Sequence, residues 1–447
     1  MNRYGSTYRN LLWPAYEGLR GRQTHKLFHT AEARQWWSID RLRDYQWQEI
    51  TRLIRHAHAH TTWYRRVFEK LSLGPEDVRT LADFQRLPPL GKEEIRQSRD
   101  EMVATQQPGP LYAERTGGST GVPLQYFYNR GSYEWRLAVS QRGYSWAGCE
   151  DGARQFYLWG EPIGTPPWPA RLKTKLHNAF LRRRLVSSFR LTTDALHRCV
   201  AEINGFRPLT IIGYTNALAL LAQHILDTRP LRHQPTGIIT AAEGVNSLQR
   251  DVIQRAFGAP VFASYGSREF MLIGMECDQH NGLHLSADNL LIETIRPDGT
   301  LAAPGEVGEI LVTDLHNFGM PLIRYKIGDL GVLTTRVCSC GRGLPLLERV
   351  EGRVLDMIRT PDGRMLPGEF FPHLMKEFES VRQFQVIQTR LDRLQIKLVL
   401  GNGNPVPRIE QEVRQRLGTS IQLDIQAVDE IPVGKNGKFR VTISELP

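Results

Sequence analysis

From about residue 110 the chain alternates short apolar runs with helical stretches, and that rhythm admits few folds. Leu209-Thr-Ile-Ile-Gly-Tyr214 precedes a helical pattern over Ala217–Leu226. Gly237-Ile-Ile-Thr-Ala241 precedes another over Ser247–Phe257, and Val261-Phe-Ala-Ser-Tyr265 follows it. Parallel neighbours need a crossover long enough to hold a helix, so the pattern predicts an α/β fold with helices packed on a parallel sheet. Residues 40–106 predict helices, IDRLRDYQWQEITRLIRHAHAH being amphipathic and Pro88-Pro89 a break. Residues 283–335 carry β signals, with turns at Arg296-Pro-Asp-Gly299 and Ala303-Pro-Gly305, and predict an attached antiparallel sheet or distorted barrel.

After Gly352 the rhythm resets. Short strands flank Pro361-Asp-Gly363. A helix over Glu369–Glu379, strands over Gln383–Thr389 and Gln395–Leu400, a helix over Pro407–Leu417 and a last strand over Leu423–Val428 follow. The expected division is an N-terminal domain, 1–352, and a small α+β C-terminal domain, 353–447, with the boundary within Glu351–Asp356. A chain of 447 residues exceeds one ordinary core in any case.

With 41% hydrophobic and 23% charged residues, the composition is that of a soluble globular protein. No apolar run approaches the roughly 18–20 residues of a membrane span, and the basic N-terminus has no signal-like apolar core. Five cysteines, an odd and sparse set, argue for a reducing compartment, and the expectation is cytoplasmic. The net charge of +10 concentrates in Arg171-Leu-Lys-Thr-Lys175 and Arg182-Arg-Arg184. LKTKLHNAFLRRRLV spaces Leu172, Leu176, Phe180 and Leu181 along one helical face, so the bases form its solvated side. The other reading is a surface that meets an anionic partner, peripheral membrane association included. No nucleic-acid-binding motif accompanies it, so no nucleic-acid partner is expected.

Two glycine-rich segments stand at opposite ends. In Arg115-Thr-Gly-Gly-Ser-Thr-Gly-Val-Pro123, Gly117, Gly118 and Gly121 let the main chain approach phosphate oxygens. Thr116, Ser119 and Thr120 add hydroxyl donors. It lacks the lysine and spacing of the Walker phosphate loop, and alone it would be a plain turn. Pro432-Val-Gly-Lys-Asn-Gly-Lys438 puts a lysine behind a glycine near the C-terminus, where a lysine is ordinarily just solvated. In that order the two suggest activation of a carboxylate with ATP.

Several further segments fall in the order found in the adenylate-forming superfamily: HTTWYRR (60–66), LADFQRLPPLGKEEIR (81–96), RPLTIIGYTNALALLAQHI (207–225), TAAEG (240–244), YGSRE (265–269), RYKIGDLG (324–331), EGR (351–353) and IPVGKNGKFR (431–440). The chain most resembles the CapK-like branch of the phenylacetate-CoA ligase family. That resemblance implies ATP and Mg2+ bound between a large domain and a mobile C-terminal one. It implies the backbone of Glu243 and Gly244 along the adenine, with Tyr265 of Tyr265-Gly266-Ser267 packed on its ring. Ser267 would contact the α-phosphate or the substrate carboxylate, and Glu269 would hold Mg2+, a hard cation suited to carboxylate oxygen. Asp329 would accept both ribose hydroxyls and Arg353 would also reach the ribose. Lys438 would be catalytic, with Lys435 three residues too early. The chain departs from the family at Val122, where lysine is common, and at Leu355, where a pivot aspartate is usual and Asp356 follows instead.

Cys338-Ser-Cys340 and Cys277-Asp-Gln-His280 together offer three sulfurs and one imidazole, a tetrahedral Zn2+ set of structural kind. His284 competes with His280 for the fourth place, and ordinary thiols are the alternative. Cys149 and Cys199 read as packing residues.

The resemblance implies a two-step ligase that converts an aromatic or arylacetic acid to acyl-AMP and passes the acyl group to coenzyme A. The acid would lie near Tyr214, the 240–244 segment and Phe270. Transfer to an amine, a hydroxyl or a carrier-protein thiol shares the fold. A noncatalytic basic surface-binding protein is the reading from another class.

Overall fold

The computed structural model describes residues 3–116, 124–160, 167–189, 191–228, 230–351, 358–362, 365–366, 368, 370–375, 377–431 and 441–446. N-terminal helices include Thr24–Arg34, Ile39–His60, Thr62–Lys70 and Lys92–Met102. Ser38 and Thr61 cap two of them by accepting from the N–H groups of Arg41 and Tyr64. Leu42, Ile50, Leu53, Ile54 and Ala57 form the buried stripe of the longest.

A hairpin of β1 (Leu111–Arg115) and β2 (Gln125–Asn129) follows. Next comes one eleven-stranded sheet: β3 (Gln155–Trp159), β4 (Arg183–Ser187), β5 (Thr210–Tyr214), β6 (Gly237–Ala241), β7 (Val261–Ser267), β8 (Met271–Met275), β9 (Leu283–Leu285), β10 (Leu290–Ile295), β11 (Val307–Asp314), β12 (Tyr325–Thr334) and β13 (Leu346–Glu351). Its order is β10-β11-β12-β13-β9-β8-β7-β6-β5-β3-β4. From β4 to β7 the strands are parallel, and from β7 to β10 antiparallel. The β-rich region is therefore the expected attached antiparallel sheet and not a barrel, and it is continuous with the parallel half. Val261–Ala263 of β7 pair with β6 while Ser264–Ser267 pair with β8, so one long strand joins the two halves.

Helix Arg130–Ser145 fixes the antiparallel half in place. Buried Arg136 and Arg142 pair with Asp314 and Asp288, each at 2.8 Å. Deleting one partner of such a pair would strand a buried charge, at about 3–5 kcal/mol. A Cβ on Gly143 would stand 2.4 Å from Leu272 Cδ2, so a larger residue there would have to displace the Leu272 side chain of β8.

The C-terminal module holds β14 (Ile358–Arg359), β15 (Met365–Leu366), helix Phe370–Met375, β16 (Val381–Arg390), β17 (Arg393–Leu400), helix Val406–Leu417, β18 (Gln422–Ala427) and β19 (Thr442–Ser444). Four strands order as β18-β17-β16-β19. The three-residue β19, parallel to β16, is the strand the sequence pattern lacks, being too short to show a period. The expected domain boundary falls largely on 352–357, outside the described residues. Phe189 meets Phe370 at 5.4 Å between ring centres, so the module packs on the body.

One expectation changes character. The basic helix spans Trp168–Phe180, and then Arg183–Ser187 becomes the edge strand β4 instead of continuing it. None of the helix's residues is buried, and its apolar face lies open beside its basic one. Among the described residues no helix is long and apolar enough to cross a membrane.

Candidate functional site

The parallel strands end together, and their C-terminal ends carry the expected ligand-facing residues, as open α/β sheets arrange them. Trp159 ends β3 and Tyr214 ends β5, with ring centres 4.7 Å apart. Ala241 ends β6 and leads into Glu243 and Gly244. Tyr265, Gly266 and Ser267 close β7.

Glu243 is held by the helix beside it. Its carboxylate accepts from Asn216 N at 2.9 Å and Asn216 Nδ2 at 2.7 Å, while its carbonyl accepts from Thr215 Oγ1 at 2.8 Å. The carboxylate thus serves the start of helix Thr215–Asp227, where N–H groups lack intrahelical partners. This leaves the backbone of 242–244 to shape the crevice. Ala242 has φ 70°, in the left-handed region. Gly244 faces open space.

At β7, Tyr265 donates its hydroxyl to Asp329 Oδ2 at 3.0 Å. Gly266 has no room for a side chain, since a Cβ would stand 2.1 Å from the Met271 carbonyl oxygen. Ser267 Oγ is buried and makes no hydrogen bond to a described residue. Such an orphan hydroxyl is costly unless a ligand uses it. Glu269, 5% exposed, accepts from Tyr325 Oη at 2.9 Å through one carboxylate oxygen. Its other oxygen has no partner among the described residues, leaving a hard donor free. A carboxylate oxygen of this kind suits a phosphate-bound divalent cation.

Thr116 accepts at Oγ1 from Leu124 N at 2.9 Å, and its own N–H donates to Leu124 O at 2.8 Å. The two residues flanking the glycine-rich segment are therefore clamped together. Arg268 Nε donates to Arg115 O at 3.2 Å, and Tyr126 Oη to Arg268 O at 2.7 Å, tying the hairpin to the Tyr265–Glu269 segment. Gly117, Gly118, Ser119, Thr120 and Gly121 lie outside the described residues, as do Arg353 and Lys438. Phe270, expected near the acid, lies fully buried against Tyr325. Tyr214, also expected there, is buried and hydrogen-bonded to His373 of the C-terminal module at 3.3 Å.

A cavity of about 320 Å3 beside Arg268 and Met271 was not anticipated. Tyr112, Tyr126, Tyr128 and Tyr133 line it together with Arg136. Its signal is the alternation Gln125-Tyr-Phe-Tyr128, which places Tyr126 and Tyr128 on one face of β2, opposite Tyr112 of β1.

A second centre lies in the antiparallel half. Cys277, His284, Cys338 and Cys340 bring their ligand atoms within 4.8 Å of one another. Cys277 Sγ stands 3.6 Å from Cys338 Sγ, and Cys340 Sγ 3.3 Å from His284 Nε2. A tetrahedron with metal–sulfur bonds of about 2.3 Å has edges near these lengths. His284 Nδ1 lies 3.4 Å from the Leu344 carbonyl, an arrangement that leaves Nε2 to ligate. His280 is not the fourth member. It sits at φ 47° in a turn, and its Nδ1 is 3.2 Å from Glu276 Oε2, a carboxylate that also takes Arg250 and the Ala263 N–H. Burial holds the His284 imidazole down to about 4 and pushes the Cys277 thiol up to about 12. For Cys340 burial also acts upward, but bonds from Arg342 and the neighbouring sulfurs prevail and lower its pKa. Cys149 and Cys199 are buried elsewhere.

The C-terminal residues 358–445 match the CapK C-terminal domain. Over 409 residues the chain is 24% identical to Protein CapK of Staphylococcus aureus, covering 89% of this chain and 88% of that one. It is 23% identical to the phenylacetate-coenzyme A ligase of Thermus thermophilus, covering 90% of this chain and 96% of that one. Among solved structures, 2-hydroxyisobutyryl-CoA ligase with 2-HIB-AMP and CoA superimposes with a TM-score of 0.60 at 19% identity, covering 91% of this chain and 90% of that one. The fold is that of this group of enzymes, with a large sheet domain followed by a small C-terminal domain.

Proposed function

Because the chain is a homologue of CapK and the phenylacetate-CoA ligases with the adenylate-forming fold, we propose that it is an ATP-dependent, AMP-forming acid ligase. The observation that carries this reading is the orphan Ser267 hydroxyl two residues before the Glu269 carboxylate, in the segment whose Tyr265 is bonded to Asp329. The segment thus offers an aromatic face, a hydroxyl for a phosphate or carboxylate oxygen and a donor for a divalent cation, and Asp329 of β12 brings a ribose-type acceptor to it. Mg2+ bound at Glu269 would neutralise phosphate charge.

In the first step an oxygen of the substrate carboxylate attacks the α-phosphorus of ATP, and the bond to pyrophosphate breaks. Ser267 orients the reacting group, and Asp329 fixes the ribose. Lys438, carried by the C-terminal module, stabilises the negative charge gathering at the α-phosphate. In the second step a thiolate attacks the acyl carbonyl carbon and AMP leaves with the bonding electron pair. Rotation of the C-terminal module between the steps would withdraw Lys438, and it would part Tyr214 from His373.

The acid we assign is an aryl or arylacetic acid and the acceptor coenzyme A. A second reading shares the fold and the first step, with an amine, a hydroxyl or a carrier-protein thiol accepting the acyl group. We assign Zn2+ to Cys277, His284, Cys338 and Cys340, where three sulfurs and an imidazole suit it and the role is structural. The test is pyrophosphate release and hydroxamate trapping across a panel of acids, then acceptor capture by mass spectrometry. ATP-dependent hydroxamate with an arylacetic acid is expected. No pyrophosphate with any acid would overturn the reading.

A further inference from the structure

Helix Trp168–Phe180 has an unusual relation to the rest of the molecule. Trp168 is 72% exposed, Leu172 44% and Leu176 62%, and they recur every four residues on one face. At 100° per residue, Arg171 and Lys175 flank that stripe on one side and Lys173 on the other. None of the three bases makes an ion pair or hydrogen bond with a described residue. Edge strand β4 adds exposed Leu185 and Arg184.

The helix is nonetheless firmly seated. Phe180, at its C-terminal end, meets the rings of Tyr8, Trp13 and Tyr16 at 5.2, 6.4 and 5.3 Å, and Tyr4 Oη donates to the Phe180 carbonyl. The open face is therefore presented on a packed element. Between Glu161 and Asp194 the chain has no acidic residue.

We propose that this helix, with β4, docks the protein on an anionic lipid bilayer, lying in the plane of the interface. Charge and shape select that occupant. Two copies meeting through this face would set bases against bases with no acid to answer them. A nucleic-acid backbone would take the bases but leave Trp168, Leu172 and Leu176 in water. A bilayer surface answers both: apolar side chains enter the acyl boundary while lysine and arginine stems reach back to anionic headgroups. The topology gives docking a direction. β3 runs toward the end of the sheet that carries Trp159, Tyr214 and Tyr265, and the helix starts there before returning to parallel β4. The Trp168 end thus lies on the side of the sheet where the candidate site opens.

The test is co-sedimentation of the full chain with vesicles of phosphatidylcholine alone or with one-third phosphatidylglycerol, at low and high salt. Binding to the anionic vesicles only is expected, weakened more than tenfold by salt because each base near the surface contributes about fivefold in affinity. Trp168→Ala/Leu172→Ala/Leu176→Ala and, separately, Arg171→Glu/Lys173→Glu/Lys175→Glu should each reduce binding more than tenfold. The altered side chains are exposed, so circular dichroism and melting should stay at wild-type values. No binding to anionic vesicles, or equal binding by the triple alanine variant, would overturn the proposal. So would a solution dimer that the same variant dissociates, which would assign the face to a second copy.

Discussion

Tyr265 gives its hydroxyl hydrogen to Asp329 at 3.0 Å, and so ties the end of β7 to β12 across the mouth of the candidate site. The aromatic face and the ribose-type carboxylate are positioned by one bond. Asp329→Asn keeps the shape but halves the acceptor capacity, and the Kd for ATP should rise about tenfold or more. Tyr265→Phe retains the ring and should weaken binding only about threefold. Nucleotide titration of both variants checks the order, and equal losses would contradict it.

Ser267 separates a structural role from a functional one. Its buried Oγ has no hydrogen-bond partner among the described residues, so Ser267→Ala should leave the melting temperature unchanged or slightly raised. The rate of adenylate formation should fall about tenfold or more. A loss of stability with unchanged kinetics would show that the hydroxyl serves the fold instead.

The proposed zinc site makes a prediction that distinguishes two neighbouring histidines. Purified protein should carry about one zinc per chain by elemental analysis. His284→Ala and Cys340→Ser should lose it and melt at lower temperature, because the set joins the 277–284 segment to the 338–340 turn. His280→Ala should retain it, costing the contacts with Glu276 and the Phe262 ring. Zinc lost with His280 and kept with His284 would reverse the assignment.

Asp151 provides a pH test away from the site. Burial raises its pKa to about 6, against the opposing charges of Arg183 and Arg9. Its folded-state value lies above the unfolded one, so the folded state binds more protons and stability from this group falls as pH rises from about 4 to about 6. Asp151→Asn should therefore stabilise the protein by about 2–3 kcal/mol at pH 7 and by well under 1 kcal/mol at pH 4. A difference in melting temperature that is constant across that range would contradict this.

Much of the architecture was legible because it is local. The runs at 209–214, 237–241 and 261–265 became β5, β6 and β7, and helix Ser247–Phe257 matched its expected bounds. The joining of the two half-sheets was not legible, since it depends on β7 changing partners midway, which no periodicity records. Cys-x2-His spacing favoured His280, yet the turn at φ 47° and the pull of Glu276 take that ring elsewhere. The pairing of β9 with β13 brings His284 to the sulfurs from a different element. The basic helix was recognised by its period, but period alone cannot say whether an apolar stripe has a partner. Here Phe180 packs on Tyr8, Trp13 and Tyr16, while Trp168, Leu172 and Leu176 stay exposed.

The account turns on the amine at Lys438. Lys438→Ala should be measured for acyl-adenylate formation by ATP–pyrophosphate exchange and, in parallel, for ATP binding. Exchange should fall by about a hundredfold or more, with the Kd for ATP within about threefold of wild type. Exchange that persists within a few fold of wild type, or a wild-type protein that binds no ATP, would contradict the account.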